Sequence, residues 1–434
     1  MRRKADAAPA RRTLPRGTGG DAALRLSRVA PPPAAKLAPW IERMRGVRAL
    51  VWGDFVLDDY WRCLTRRVSR EAPVLVLDWQ SRSSQGGGAA NAALNLASLG
   101  ARVSVLGWVG NDEAGAELRR LLAAAGVDTF GLLEHPHAST VVKIRVVAGS
   151  VHTALQQVVR VDRGNAFTLD ARGRAALTQA MKRAAHDVRA VILSDYGYDS
   201  VTPALAAESI ASWREGGATV ALDARYRLPA YHGVSLATPN ESEAAAAAGL
   251  EAGSERDLEE IASRLLRAVR PEHLIITRGR DGLTLWGAER GVSLEAHGGE
   301  EAVDVTGAGD AVVATATLAL AAGAPALEAA ALANVAGSVA VSRRGAVAVA
   351  AEDLRSALEA EGGKDRRKVL GAGGGTRSAE LRRRAGGRRP KRAAGSEAEP
   401  GMAEPSGRGR TRPASGPERS ATSRRPVRKR ESRT

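Results

Sequence analysis

Asp304-Val305-Thr306-Gly307-Ala308-Gly309-Asp310 reads D-V-T-G-A-G-D, and the apolar, Ala-rich run Ala311 to Ala322 follows at once. The run predicts a buried helix that starts at the glycines. Gly307, Ala308 and Gly309 offer backbone N–H groups free of large side chains. At a helix start such donors are unpaired and the helix dipole is positive, so the stretch attracts an anion, most often phosphate. A carboxylate at the mouth of such a pocket repels that ligand unless it has another use. The use that fits Asp310 is to take a proton from a hydroxyl attacking a phosphoryl group. Taken alone, the stretch also reads as a glycine-containing turn entering a core helix, with Asp310 an ordinary first-turn acid.

The surrounding chain supplies a frame. Val47 to Trp52 is a short apolar run ending at Gly53-Asp54, a buried strand and a turn. Residues 60–80 alternate in extended pieces and predict a small sheet. Gly86-Gly87-Gly88 opens a helix over Ala89 to Leu99, and Val103 to Gly107 is the next strand. A helix from Asp112 to Ala125 follows. Thr140 to Val147 and Leu155 to Val161 form a paired set of strands. Strands at Ala190–Leu193, Thr219–Asp223 and Leu274–Thr277 alternate with helices such as Pro203 to Gly216. This alternation predicts an α/β fold with a mostly parallel sheet covered on both faces. Ligands of such sheets collect at the carboxyl ends of strands, where Asp54, Asp195, Asp223 and Thr277 lie.

The net charge of +16 over 434 residues does not describe the body of the chain. Residues 1–40 carry +7 and residues 361–434 carry +14, which leaves −5 for the middle. Residues 1–38, with Pro31-Pro32-Pro33, read as a disordered basic arm, and the folded part is expected over 39–360. Beyond it, Gly, Arg, Ser, Pro and Glu dominate, and 361–434 reads as a disordered basic tail able to touch polyanions. No aromatic residue interleaves with the tail's arginines, so base stacking is not indicated. A solvated extension without a partner is the plainer reading of it. Cys63 is the single cysteine, which excludes an internal disulfide framework and suits a reducing cytosol. No apolar run is long enough to span a bilayer, and the start lacks the apolar core of a secretory signal. A cytoplasmic enzyme is the expectation.

Further stretches carry glycine, amide or carboxylate features at strand ends: Gly53 to Asp58, Gly87-Gly88-Ala89-Ala90-Asn91, and Asn240-Glu241-Ser242-Glu243. With D-V-T-G-A-G-D they resemble the PfkB, or ribokinase-like, family of sugar kinases over about residues 45–357. G-G-x-x-N, followed by Gly100 and Gly110, is similar to that family's first motif; D-V-T-G-A-G-D to its second; N-x-x-E to its nucleotide and magnesium motif. The stretches at 53–61 (G-D-F-V-L-D-D-Y-W), 67–74 (R-V-S-R-E-A-P-V), 86–100, 193–197 (L-S-D-Y-G) and 237–243 (A-T-P-N-E-S-E) resemble, more narrowly, the heptose 7-phosphate kinases of ADP-heptose synthesis. That group is often fused to a nucleotidyltransferase. Here a basic tail stands in its place, so adenylyl transfer is expected from a separate protein.

The resemblance implies a doubly wound sheet with a small β lid from about 60–85 and 138–162, ATP and Mg²⁺ as cofactors, and a homodimer paired through the lid. It implies Asp310 as the base, with the N–H groups of Gly307, Ala308 and Gly309 holding the transferring phosphoryl. Glu243 would organise Mg²⁺ through water. Asn240, Thr277, Gly279 and Asn334 match nucleotide contacts; Asp58, Gly87, Gly88 and Asn91 match the sugar pocket. Lys143 and Arg145, two apart on one strand, share a face and can grip a second phosphate on a sugar phosphate. Structural readings stand beside these. Asp58 can be a turn acid, Glu243 a first-turn acid, Asn334 a satisfied core amide, and the Lys143/Arg145 face merely solvated. His135, His137 and His152 lack metal-ligand spacing and read as surface residues. The chain departs from the heptose kinases at Tyr198, where they carry Lys, and at Asp223-Ala224-Arg225, where they carry D-P-K; Trp52 and Trp108 are also bulky for their positions. The departures bear on the acceptor more than on phosphoryl transfer. Another sugar or nucleoside kinase, an idle sugar or nucleotide sensor, and a nucleic-acid binder acting through the tails are the rival readings.

Overall fold

Alternation along one strand organises the molecule. In β2 (Arg48–Gly53) Ala49 and Val51 join one apolar cluster, while Leu50 and Trp52 join another on the opposite face. A strand buried on both faces needs helices on both sides, and the chain supplies them. The computed structural model describes residues 24–149, 155–165, 169–288, 290–298 and 302–360.

In chain order, β1 (Leu26–Arg28) and α1 (Ala34–Arg43) precede β2. The long strands β3 (Phe55–Val68) and β4 (Leu75–Gly88) follow, then α2 (Ala89–Ser98), β5 (Arg102–Gly110), α3 (Glu113–Ala124) and β6 (Asp128–His135). Next come β7 (Val141–Gly149), β8 (Gln156–Arg163), α4 (Ala171–Ala184), β9 (Ala190–Asp195), α5 (Pro203–Glu215), β10 (Thr219–Ala224) and β11 (Leu236–Ala237). The chain continues through α6 (Glu241–Ala248), α7 (Glu255–Val269), β12 (His273–Thr277), β13 (Leu283–Trp286), β14 (Gly291–Leu294), α8 (Ala308–Ala321) and α9 (Ala326–Val341). The main sheet has the order β1-β14-β13-β12-β11-β10-β9-β2-β5-β6. Its pairs are parallel except β12/β13 and β13/β14. Helices α1, α2, α3, α8 and α9 pack on one face, and α4 to α7 on the other. The fold is the expected α/β, ribokinase-like, doubly wound architecture.

The segments expected at 60–85 and 138–162 belong to one second sheet, ordered β4-β3-β7-β8. Its first two strands run from 55 to 88, wider than the sequence reading. β3 leaves the main sheet across Asp54 alone, and β4 returns straight into α2 at Gly88. Asp58, Gly87 and Gly88 therefore sit where the two sheets join. The glycines at 86–88 end β4, and Gly88 caps α2, so the helix opens after them as expected. Residues 150–154, inside the second segment, lie outside the described residues, as do 1–23 and 361–434, where the basic arm and tail were expected.

The basic arm was drawn too long. Leu26–Arg28 is a strand, paired in parallel with Gly291–Ser293, and α1 begins at Ala34 directly after Pro33. β1 is bound through its backbone while most of its side chains stay exposed, so it leaves no apolar pattern in the sequence. The bulk of Trp52 also finds its reason. The indole is buried, packs edge-on against Trp213 at 6.3 Å, and donates to the Ser200 carbonyl at 2.8 Å. Among the described residues no helix is long and apolar enough to cross a membrane.

Candidate active site

The site is built around the start of α8. Gly307 stands just before the helix with φ +81°, a left-handed conformation that suits glycine. A Cβ there would lie 2.5 Å from Asn91 Nδ2, so glycine also lets α8 approach α2. Asp304 holds the turn, accepting from the N–H of Thr306 and of Gly345, each at 2.9 Å. Ala308 N–H turns back on the Val305 carbonyl at 3.4 Å, so of the cradle amides it has an internal partner. Gly309 is exposed, and a Cβ built on it would meet nothing within 4 Å. Its amide and that of Asp310 lie in the first turn, beyond reach of intrahelical carbonyls.

Asp310 itself is 6% exposed. Asn91 Nδ2 donates to its Oδ2 at 2.7 Å, and the Tyr196 hydroxyl lies 3.3 Å from its Oδ1. Burial pushes its pKa up to about 7; the Asp58 carboxylate adds to the rise, and the Asn91 bond, the Tyr196 bond and Lys143 oppose it. A base poised near neutral pH is what proton abstraction in this setting asks for. Asn91 is oriented by a relay of amides. Val349 N–H donates to Asn95 Oδ1 at 2.9 Å, and Asn95 Nδ2 donates to Asn91 Oδ1 at 3.2 Å. Asn95 was missed in the sequence; its only signal was a second Asn one turn along an apolar helix.

The second sheet brings its own charges to this point. Asp58 is buried and forms an ion pair with Arg145 at 2.5 Å. A Cβ on Gly87 would stand 2.7 Å from Asp58 Oδ2, and one on Gly88 (φ +54°) 2.9 Å from the Asp54 carbonyl. Gly87 thus lets backbone pass close to the Asp58 carboxylate, and Gly88 lets it pass close to the backbone at Asp54. Register places Lys143 beside Asp58 and Arg145 beside Tyr60. Lys143 Nζ lies 5.3 Å from the centre of the Tyr196 ring. Burial depresses the Lys143 pKa, Asp58 opposes that, and Arg225, Arg145 and Arg160 reinforce it. Lys143, Arg145, Asp58, Gly87 and Asn91 are therefore neighbours of Asp310, although they come from separate elements.

On the other side, Asn240 and Glu243 form a capping box at the start of α6. Asn240 Oδ1 accepts from Glu243 N–H at 2.9 Å, and Glu243 Oε2 accepts from Asn240 N–H at 3.0 Å. Thr277 pairs with Asn240 as an isolated parallel bridge, and Gly279 (φ +56°) follows in a short helical turn with open space at its Cβ. Among the described residues Glu243 Oε1 has Arg225 at 3.9 Å as its ion-pair partner, a distance that leaves it able to meet a hydrated cation. Among the described residues no three His, Cys, Asp or Glu side chains gather as a metal site. One carboxylate with room beside it suits Mg²⁺ held chiefly by water and phosphate oxygens. Asn334 donates its amide to the Glu295 carbonyl at 2.6 Å, tying α9 to the segment after β14. Asn334 is half-buried and the bond is exposed, so it does not behave as a core amide.

Asp54, Tyr196 and Asp223 are further members of the site. Asp54, buried, accepts from the N–H groups of Tyr196 (2.8 Å), Tyr198 (3.0 Å) and Ser200 (2.9 Å), which fixes the loop after β9. Burial raises its pKa and those bonds oppose the rise. Asp223 faces Asp310, Glu243 and Arg225, and burial, then its acidic neighbours, push its pKa well up. The sequence placed Asp54 and Asp223 at strand ends without a task, and read Tyr196 only as part of L-S-D-Y-G.

Known proteins resemble this chain in sequence and in fold. Residues 50–353 match the model of the pfkB family carbohydrate kinases. A "Bifunctional protein HldE" of Mesorhizobium japonicum is 38% identical over 331 residues, covering 76% of this chain and 65% of that protein. The protein of the same name from Stutzerimonas stutzeri is 39% identical over 319 residues, with 73% and 65% covered. The chain thus spans just under two thirds of the length of these relatives. Among solved structures, phosphofructokinase-2 from Escherichia coli in complex with potassium superposes with a TM-score of 0.59 at 19% identity, covering 72% of this chain and 98% of that one. Arabidopsis thaliana ribokinase complexed with ribose and ATP superposes at 0.56 and 18% identity, covering 72% and 99%. With two of the motifs meeting at one buried aspartate and the family match running through nearly the whole described body, this chain belongs to the PfkB family of carbohydrate kinases.

Proposed function

We propose that the chain transfers the terminal phosphoryl group of ATP to O1 of D-glycero-β-D-manno-heptose 7-phosphate, giving the 1,7-bisphosphate for ADP-heptose synthesis. The observation that carries the transfer is Asp310: buried, with a pKa near 7, touched by Asn91, and next in the chain to the open amide of Gly309. Asp310 takes the proton of the acceptor hydroxyl. The helix-start amides of Gly309 and Asp310 hold charge that develops on the phosphoryl oxygens. Asp58, Asn91 and the backbone at Gly87–Gly88 fix the sugar hydroxyls. Asn240, Thr277 and Gly279 line the nucleotide side, with Asn334 further out. Glu243 holds Mg²⁺ through water, and the ion supplies charge neutralisation between the donor phosphates. The narrow acceptor rests on the heptose-kinase stretches and on Lys143, a cation beside the sugar pocket, with Arg145 next to it and already paired with Asp58.

The second sheet supports a homodimer. Trp79, Val159 and Val161 are 62%, 48% and 50% exposed on it, an apolar surface that a second copy would cover. The enzyme is expected in the cytoplasm, where heptose phosphates and ATP meet. The acceptor is tested with a panel of sugars and sugar phosphates, Mg²⁺-ATP and an ADP-release assay. Turnover confined to another sugar overturns the heptose assignment; a panel with no turnover overturns the kinase. Light scattering at a mass of one chain overturns the dimer.

A further inference from the structure

Asp310 has two donors, and only Asn91 belongs to a motif read as a ligand site. The other, Tyr196, is held in place from every side. Its N–H donates to Asp54 Oδ2 at 2.8 Å, in the loop that the same carboxylate pins at Tyr198 and Ser200. A Cβ on Gly88 would stand 3.5 Å from Tyr196 Cδ2, so the ring packs over the root of the second sheet. Two cations lean on it, Lys143 Nζ at 5.3 Å from β7 and Arg225 Cζ at 6.0 Å from the end of β10. Both lie at cation–π distance. A ring so clamped has one orientation, and its hydroxyl points at Asp310 Oδ1, 3.3 Å away.

We infer that Tyr196 is a positioning residue for the base: its hydroxyl donates to Asp310 Oδ1, and the cations on its ring tie that contact to the anionic end of the acceptor. With Asn91 on Oδ2 and Tyr196 on Oδ1, the carboxylate is stopped from rotating, and the remaining lone pair of Oδ1 is turned to the acceptor hydroxyl. The phenol keeps its proton at working pH. Burial raises its pKa well up, Asp310, Asp223 and Glu243 add to the rise, and Arg225 opposes it. Around Asp310 the other groups are Asp58 of β3, which raises its pKa, Lys143 of β7 with Asn91 of α2, which lower it, and Asp223 of β10, an acid that faces it. Tyr196 stabilises the ionised base, so its loss must shift the acid limb of the rate profile upward.

This inference rests on the kinase reading above and gives that site a further member. The test is the pH dependence of kcat/KM for the acceptor, with saturating Mg²⁺-ATP, in the full chain. Tyr196→Phe should move the acid limb up by about one pH unit, the scale of one hydrogen bond to a charged group. It should lower kcat about tenfold and leave KM for ATP within about twofold. 3-Fluorotyrosine at position 196, a stronger donor of nearly the same shape, should move the limb the opposite way, and it serves should the Phe variant not fold. A parent enzyme that turns over while its acid limb stays fixed in both variants overturns the assignment of Tyr196 alone. A parent with no turnover removes the kinase reading, and this assignment with it.

Discussion

Replacing Asp310 by Asn should cost nearly all the turnover and yet make the protein harder to unfold at pH 8. The folded-state pKa of about 7 stands above the ordinary aspartate value of 3.8. A raised carboxylate pKa means the fold prefers the protonated form. Its contribution to stability is complete below the unfolded pKa and is lost as pH rises through about 7. At about 1.4 kcal/mol per pH unit, the ionised acid costs the fold at most about 4 kcal/mol at pH 8. Relaxation and water entry around a real buried charge bring the expected figure to about 2 kcal/mol. Asn has the same shape. Its amide oxygen can still accept from Asn91, and its NH₂ can donate to the Tyr196 oxygen. Asp310→Asn should therefore gain stability that grows between about pH 4 and 7 and then levels, while turnover falls by orders of magnitude and ATP still binds. Chemical denaturation across pH, with ADP release on the same samples, measures both. A variant with full turnover refutes the base. A stability difference that does not change with pH refutes the buried titration on which the magnitude rests.

The two cradle glycines should behave oppositely. Gly309→Ala meets open space inside a helix and should add about 0.5–1 kcal/mol of stability while lowering turnover, because its methyl occupies the phosphoryl position. Gly307→Ala forces φ +81° on a residue with a Cβ and drives it onto Asn91, so melting should show a loss of about 1–3 kcal/mol together with lost activity. Lys143→Met should raise KM for a phosphorylated acceptor by about tenfold or more, leaving KM for ATP and for an unphosphorylated analogue unchanged. Glu243→Gln keeps an oxygen for Asn240 N–H, so melting should move by less than about 0.5 kcal/mol. A Mg²⁺ requirement raised severalfold would then separate metal binding from capping, and an unchanged one would leave Glu243 a cap.

How much of this was written in the sequence follows from the range of each signal. Strands β2, β5, β9, β10 and β12 are largely apolar runs, and helices α2, α3, α5 and α6 end at glycines, so local pattern located them. Both glycine motifs were legible because their spacing is itself the geometry. β1 was not, since its ties, backbone bonds to β14 and bonds to Glu255 and Glu259 of α7, all reach far along the chain. Asn240 and Glu243 show a different limit. One spacing serves a capping box and an N-x-x-E ligand pair, and the sequence cannot separate them because the structure uses the same atoms for the first. Tyr196 and Asp54 are contacts over more than a hundred residues, with no periodicity to announce them.

The opening difficulty was a carboxylate beside a cradle for anions. Burial resolves it. An exposed aspartate at a helix start stays ionised at neutral pH and repels phosphate. Asp310, enclosed by α2, the second sheet and the loop after β9, sits close to half protonated there. Small changes in its surroundings then decide its charge. Asp58 pushes toward the neutral form, while Asn91, Tyr196 and Lys143 pull toward the ionised one. An acceptor that draws Lys143 onto its phosphate weakens one of those pulls just as its own hydroxyl arrives. The remaining donors, Asn91 and Tyr196, must then keep the base ionised. For this reason the acid limb of the kcat profile, which reports the enzyme with acceptor bound, should lie at higher pH with a phosphorylated acceptor than with an unphosphorylated analogue in the parent enzyme, and this difference should vanish in Lys143→Met. Equal limbs for the two acceptors in the parent would show that Lys143 does not act on the base.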